Sequence, residues 1–136
     1  PFVGASGQLL DRMLASIGID RTKCLITNIL PWRPPGNRTP TDAEVQTCLP
    51  FMHRQIALVR PRHLVLVGGL STKALTGNPA GITRMRGKWL QLPIPGLPDP
   101  VPTLPTFHPA YLLRTPGAKR DAWADWLALR RSIDGL

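Results

Sequence analysis

The sequence predicts an α/β protein of three layers, with a short, mainly parallel central sheet between helices, and three observations carry that expectation. Two apolar runs of strand length, Lys-Cys-Leu-Ile-Thr-Asn-Ile-Leu at 23–30 and His-Leu-Val-Leu-Val-Gly at 63–68, have the nearly unbroken character of strands covered on both faces. Stretches with apolar residues at helical spacing lie between and around them. Strands that alternate with helices build a layered fold on a mainly parallel sheet.

Leu9, Leu10, Met13, Leu14 and Ile17 repeat at helical spacing, and Gly18 stands where a helix would end on a residue of positive φ, so a helix is expected from about Gly7 to Ile17. The 23–30 strand follows. Trp32 to Pro40 holds three prolines, a glycine and two arginines and reads as a stiff basic loop. Thr41-Asp-Ala-Glu44 has the form of a capping box, which starts a helix. The core face of that helix is Val45, Cys48, Leu49, Met52, Ile56 and Val59, and it stops at Arg60 because Pro61 disfavours helical geometry in the residue before it.

After the 63–68 strand, Gly69, Ser71 and Lys73 open a short helix. Residues 82–92 are expected to form a hairpin or irregular arm carrying Arg84, Arg86, Lys88 and Trp89. The proline-rich stretch 93–105 reads as a weak, edge-like connection into a short strand ending at Phe107. A short turn or helix follows His108-Pro109. Thr115-Pro116 then caps a final helix with Ala122, Trp123, Trp126, Leu127 and Ile133 on one face.

Residues 1–136 are expected to be one domain with one core, since 43% of them are hydrophobic. Pro1-Phe2-Val3-Gly4 reads like the middle of a loop, so a preceding segment is expected. The chain has no apolar run of membrane-spanning length and no secretory leader pattern at its first residues, from which a soluble, cytoplasmic monomer is expected. Seventeen Lys and Arg against eight Asp and Glu give a formal charge of +9, which makes a polyanion, nucleic acid first, the favoured partner. A basic surface serving only solubility is the alternative. The cations gather at Arg33 and Arg38, at Arg84, Arg86 and Lys88, and at Arg114, Lys119 and Arg120. Cys24 and Cys48 are too few for a disulfide scaffold and are not spaced as a C-x-x-C pair.

Ligands of such folds bind outside the carboxyl ends of the strands, where Asn28, Gly68-Gly69 and His108 stand. Singly, each has a structural explanation: a strand-ending Asn, a Gly-Gly turn, a packed His. Together they mark one edge of the sheet.

Five segments, in order and across nearly the whole chain, carry a resemblance: Pro1-Phe2-Val3-Gly4-x-x-Gly7, Thr27-Asn28, Arg33-Pro-Pro-Gly-Asn-Arg38-Thr-Pro40, Gly68-Gly69 and His108-Pro-Ala-Tyr-Leu-Leu-Arg114. They look like those of family-four uracil-DNA glycosylases, which flip uracil out of DNA and hydrolyse its N-glycosidic bond. The resemblance implies that Phe2 stacks on the flipped base, that Asn28 reads its edge, and that His108 is the catalytic histidine of the loop that enters DNA. Amide chemistry agrees, because a side-by-side donor and acceptor match uracil N3–H and O4 and refuse cytosine. A histidine donor can hold the negative charge that gathers on O2 as uracil leaves. Phe2 as a plain packing residue is the alternative reading.

Tyr111, Leu112 and Leu113 are apolar beside basic residues, either as a wedge pushed into the gap left by the flipped nucleotide or as core. Ser71 and Lys73, behind the exposed amides of a helix N-terminus, suit a DNA phosphate, and Arg38, Arg86 and Arg114 are expected in the same DNA-gripping surface.

Two departures from the family stand out. Its members usually hold a 4Fe-4S cluster on four cysteines; Cys48 matches one ligand, but Trp32 stands where its partner is expected, so no cofactor is predicted. The family's Gly-Glu-Ala-Pro-Gly segment, near the attacking water, is expected upstream of Pro1. No histidine lies between Asn28 and His53, so the covalent adduct of related uracil binders is not expected. Two rival readings remain: a catalytically impaired nucleic-acid-binding module of the same fold, and a nucleotide or sugar-phosphate enzyme, which lacks both G-x-G-x-x-G and a Walker pattern.

Overall fold

A computed structural model describes residues 4–19, 24 and 41–134. The strand expected at 23–30 and the basic loop at 32–40 lie outside the described residues, Cys24 excepted.

Helix α1 spans Gly4–Ser16 and turns out at Gly18, whose φ is 76°. Ile19 N–H bonds the Leu14 carbonyl at 2.9 Å, and just past the helix the Arg130 guanidinium from the last helix reaches the Ile17 carbonyl at 2.5 Å, tying the end of α1 to that helix. Helix α2, Asp42–Val59, begins with the expected capping box: Thr41 Oγ1 accepts from Glu44 N–H at 3.1 Å and Glu44 Oε1 accepts from Thr41 N–H at 2.9 Å. It ends where Pro61 requires. Arg60 leaves the helix with φ 52°, its N–H still bonded to the Ile56 carbonyl. Pro50 sits inside α2 on its exposed side, at a cost of about 3 kcal/mol for a lost helical bond and ring crowding. The cap and the buried Val45, Cys48, Met52 and Ile56 hold the helix through it; Leu49 is half-buried and Val59 exposed, so the core face is narrower than its spacing predicts.

Strand β1 is Leu64–Val67, followed by α3, Gly69–Thr76. The 82–92 segment divides into a one-turn helix α4, Ile82–Met85, and strand β2, Leu90–Leu92. Strand β3 is Val101–Thr106, then come α5, Pro109–Arg114, a 3-10 turn at Pro116–Ala118, and α6, Lys119–Asp134.

Among the described residues the sheet has the order β1-β3-β2, with β1 and β3 parallel and β2 antiparallel to β3. The proline-rich β3 is therefore the middle strand of the three, where an edge-like connection is predicted. The hydrogen-bond directions explain how this is possible. The Pro105 carbonyl points to the β2 side, where it accepts from Gly87 N–H, and the Thr106 carbonyl points to the β1 side, where it accepts from Gly68 N–H, both at 2.9 Å. A strand residue's N–H and C=O share a side, so the donor missing from Pro105 faces the β2 side beyond Thr103, where the pairing with β2 ends. The donor missing from Pro102 faces the β1 side, short of Thr103, where pairing with β1 begins.

Side chains leave this sheet toward two clusters. Leu104 joins Leu9, Leu10, Met13, Leu14 and Ile17 of α1, Leu112 of α5, and Ala122, Trp126 and Leu129 of α6, with Val65 against them. Val101 and Leu92 join Val45, Met52 and Ile56 of α2, with Leu64 beside them. The register pairs Leu64 with Thr103 and Val65 with Leu104, so each face of the sheet feeds one cluster and the three-layer arrangement follows. No helix among the described residues is long and apolar enough to cross a membrane.

Candidate active site

The parallel pair brings the carboxyl ends of β1 and β3 side by side. Gly68, directly after β1, has φ 97° and donates to the Thr106 carbonyl. A Cβ built on Gly68 would lie 3.1 Å from His108 Cβ and 3.5 Å from its Cδ2. Glycine is thus required here twice, for its backbone conformation and for the close approach of the imidazole. Two of the three strand-end features singled out by sequence, Gly68-Gly69 and His108, are in contact; Asn28 lies outside the described residues, as do Phe2, Trp32 and Arg38.

His108 is the N-cap of α5, with φ −70° and ψ 140°, and its Nδ1 accepts from Ala110 N–H at 3.0 Å. Pro109 at the first helical position has no N–H to leave unsatisfied. An accepting Nδ1 carries no proton, so the neutral ring holds its proton on Nε2. Burial, and then the positive charge of Arg114, push the His108 pKa below its ordinary 6.5. The ring is therefore a neutral donor at neutral pH, half-buried at the strand ends.

Behind it lies a polar cluster that sequence reading misses. Asp125 of α6 is 2% exposed, and Thr106 Oγ1 donates to its Oδ2 at 2.7 Å. Arg86 Nε donates to the same Oδ2 at 3.0 Å and Arg86 Nη2 to Oδ1, while Nη2 also reaches the Asp121 carbonyl at 3.2 Å. The bond to Asp125 is the largest influence raising the Arg86 pKa. Gly87, φ 75°, passes so near that a Cβ would stand 2.7 Å from Asp125 Oδ1. Arg86, expected among the DNA contacts, is in this structure the counter-ion of a buried carboxylate, which would be left uncompensated if the guanidinium turned away from it.

The loop after His108 is also partly reassigned. Leu112 is fully buried in the cluster between α1 and α6, so it packs the core and is not a wedge, while Leu113 beside it is 40% exposed. Tyr111 is half-buried, its ring 4.9 Å from that of Phe107. Arg114 is exposed on the last turn of α5. Ser71 lies in the first turn of α3 and Lys73 in its last, so Lys73 is not at the helix N-terminus; it is exposed and 3.9 Å from the exposed Asp42, a separation that contributes little. Cys48 is 1% exposed within α2, and Cys24 is half-buried. Among the described residues no three His, Cys, Asp or Glu side chains gather as metal ligands.

The sequence model of the uracil DNA glycosylase superfamily matches residues 1–127. A type-4 uracil-DNA glycosylase of Pyrobaculum aerophilum is 40% identical over 129 residues, covering 92% of this chain and 65% of that protein. Type-4 enzymes of Sulfurisphaera tokodaii, 36% identical over 96% of the chain, and Thermotoga maritima, 40% identical over 84%, are similar in the same way. The chain spans 57–65% of the length of these three relatives. A matching family model over almost all of the sequence, together with the histidine and glycine set at adjoining strand ends, establishes that the chain belongs to the uracil DNA glycosylase superfamily.

Proposed function

We propose that this protein is a monofunctional uracil-DNA glycosylase of base excision repair, with residues 1–136 forming one domain of it, working in the cytoplasm as a monomer on uracil-containing DNA. The observation that carries the reading is His108, a neutral Nε2–H donor fixed at the carboxyl ends of β1 and β3 in a chain 36–40% identical to type-4 uracil-DNA glycosylases.

In this reading the C1′–N1 bond breaks with its electrons going to the base. The sugar becomes oxocarbenium-like and the uracil becomes an anion whose charge gathers on O2. His108 donates from Nε2 to that oxygen. A neutral donor gives most to the fully charged leaving group and least to the bound base, which lowers the barrier more than the ground state. Water then adds to C1′ and loses a proton, leaving an abasic site. Phe2 stacks on the flipped base and Asn28 pairs with its N3–H and O4 edge. Leu113, with Tyr111 behind it, fills the space the base vacates. Ser71, Lys73, Arg38 and Arg114 hold phosphates. No iron–sulfur cluster is expected, because Trp32 stands where a ligand cysteine would be; iron copurifying in stoichiometric amount would contradict that.

The test is incubation of the protein with uracil-containing single- and double-stranded oligonucleotides followed by hot alkali. Cleavage at uracil alone is expected. Salt-sensitive DNA binding with no cleavage would replace the enzyme with a binding module of the same fold.

A further inference from the structure

The geometry points to Asp125 as a positioning residue for the glycosylase site: from the far side of β3 its carboxylate holds Thr106, and through Thr106 it sets where His108 stands. The proposal rests on the glycosylase reading for its kinetic consequence, though not for its structural one.

Three of the four residues of the segment Pro105–His108 carry hydrogen-bond restraints. The Pro105 carbonyl is held by Gly87 N–H and the Thr106 carbonyl by Gly68 N–H, each at 2.9 Å. His108 is held at Nδ1 by Ala110 N–H and rests against the bare Cα of Gly68. These restraints come from the adjoining strand end, turn and helix. The Thr106 Oγ1 bond to Asp125 instead comes from α6, which is anchored in the core by Ala122, Trp126 and Leu129. Together with the packing of Leu104 and Phe107 in that cluster, it ties the strand end to the body of the protein.

Asp125 is also the shared point of three elements. Arg86 and Gly87, at the end of α4, close on it from one side and Thr106 from another, so the turn that holds Pro105 and the strand that carries His108 are referred to one carboxylate. A buried carboxylate with a paired guanidinium and a hydroxyl donor is well satisfied as an anion. An amide in its place keeps the shape but presents an NH2 where one of these donors now points. The strand end would then settle elsewhere, and a displacement of about 1 Å at a catalytic group can lower a rate roughly 100-fold.

The experiment compares wild type, Asp125→Asn, Thr106→Val and the double variant in the full chain. Uracil release is measured under single-turnover conditions alongside DNA Kd, and the His108 imidazole is followed by nitrogen NMR. Asp125→Asn is expected to lower the chemical step roughly 10- to 100-fold, leave DNA Kd within about twofold, and displace the His108 ring signals. Thr106→Val removes only the hydroxyl link and leaves the Arg86–Asp125 pair, so it stands in if Asp125→Asn does not fold. It should give a smaller loss of the same kind, and the double variant should lose less than the product of the two single effects. Folded variants with unchanged His108 signals and unchanged rate would overturn the proposal, as would parallel losses in rate and DNA affinity or effects that multiply independently. Absence of uracil release by wild type would instead refute the glycosylase reading, with the NMR comparison still deciding whether Asp125 sets the ring.

Discussion

The two sides of His108 differ in kind. On the strand side, Gly68, Thr106, Asp125 and Arg86 form a closed set in which each polar group has a partner and no space is left for a Cβ at Gly68 or Gly87. On the α5 side, Leu113 and Arg114 are exposed; Lys73 of α3 is exposed too, 3.9 Å from the Asp42 carboxylate. Chemistry on a leaving base requires a donor held to a fraction of an ångström, whereas a grip on phosphates needs charge in the right region and tolerates motion. On the glycosylase reading, a hydrogen-bonded back and a solvated front match those two demands.

Substitutions on the two sides should therefore differ in what they damage. The largest effect on stability is expected for Leu112→Ala, which empties a fully buried site and should cost about 2–5 kcal/mol, seen as a lower denaturation midpoint. Leu113→Ala one residue on should leave stability within about 0.5 kcal/mol and weaken only the handling of the flipped nucleotide. Comparable destabilisation of both would erase the distinction. Next comes Gly68→Ala, where a side chain at φ 97° meets the imidazole at 3.1 Å. A backbone cost of about 1–3 kcal/mol is expected, together with a drop in uracil release, because His108 must move.

A third effect is on pH dependence. His108 resists its proton in the folded protein while the unfolded chain accepts one near 6.5, so its contribution to stability is intact above that value and is lost progressively as pH falls below it. The chemical step should also fall on the acid side, with a midpoint below 6.5, since a proton on Nδ1 breaks the bond from Ala110. A rate that rises as pH drops through this range would contradict a neutral donor. The smallest effect is expected for Lys73→Ala: slightly weaker binding to every DNA sequence alike and a salt dependence shallower by about 0.9 in the log-log slope, with the single-turnover rate at saturation unchanged.

Much of the frame was readable before the structure because its signals are local. The Thr41–Glu44 box lies within one turn, Pro61 acts on its neighbour, and the strand-end positions of Gly68 and His108 follow from where apolar runs stop. Membership of the uracil DNA glycosylase superfamily was equally legible from motifs in order along the chain. What escaped depends on distance and direction. Arg86 and Asp125 are 39 residues apart, and nothing in a basic cluster distinguishes the arginine that a buried carboxylate from another helix will claim. Leu112 and Leu113 are adjacent and chemically alike; only the packing of α5 against α1 and α6 separates core from surface. The prolines of β3 argue against a central strand, yet the missing donor of Pro102 faces the β1 side before that ladder begins and that of Pro105 faces the β2 side after that ladder ends.

The most direct test of the account is the single-turnover release of uracil by wild type and His108→Ala, measured with DNA affinity on the same preparations. Wild type is expected to release uracil and the variant to lose about 3–4 kcal/mol of barrier lowering, a rate down by roughly 100- to 1,000-fold, while its DNA affinity stays nearly constant. A variant that keeps the wild-type rate, or that loses rate and affinity in equal measure, would contradict it.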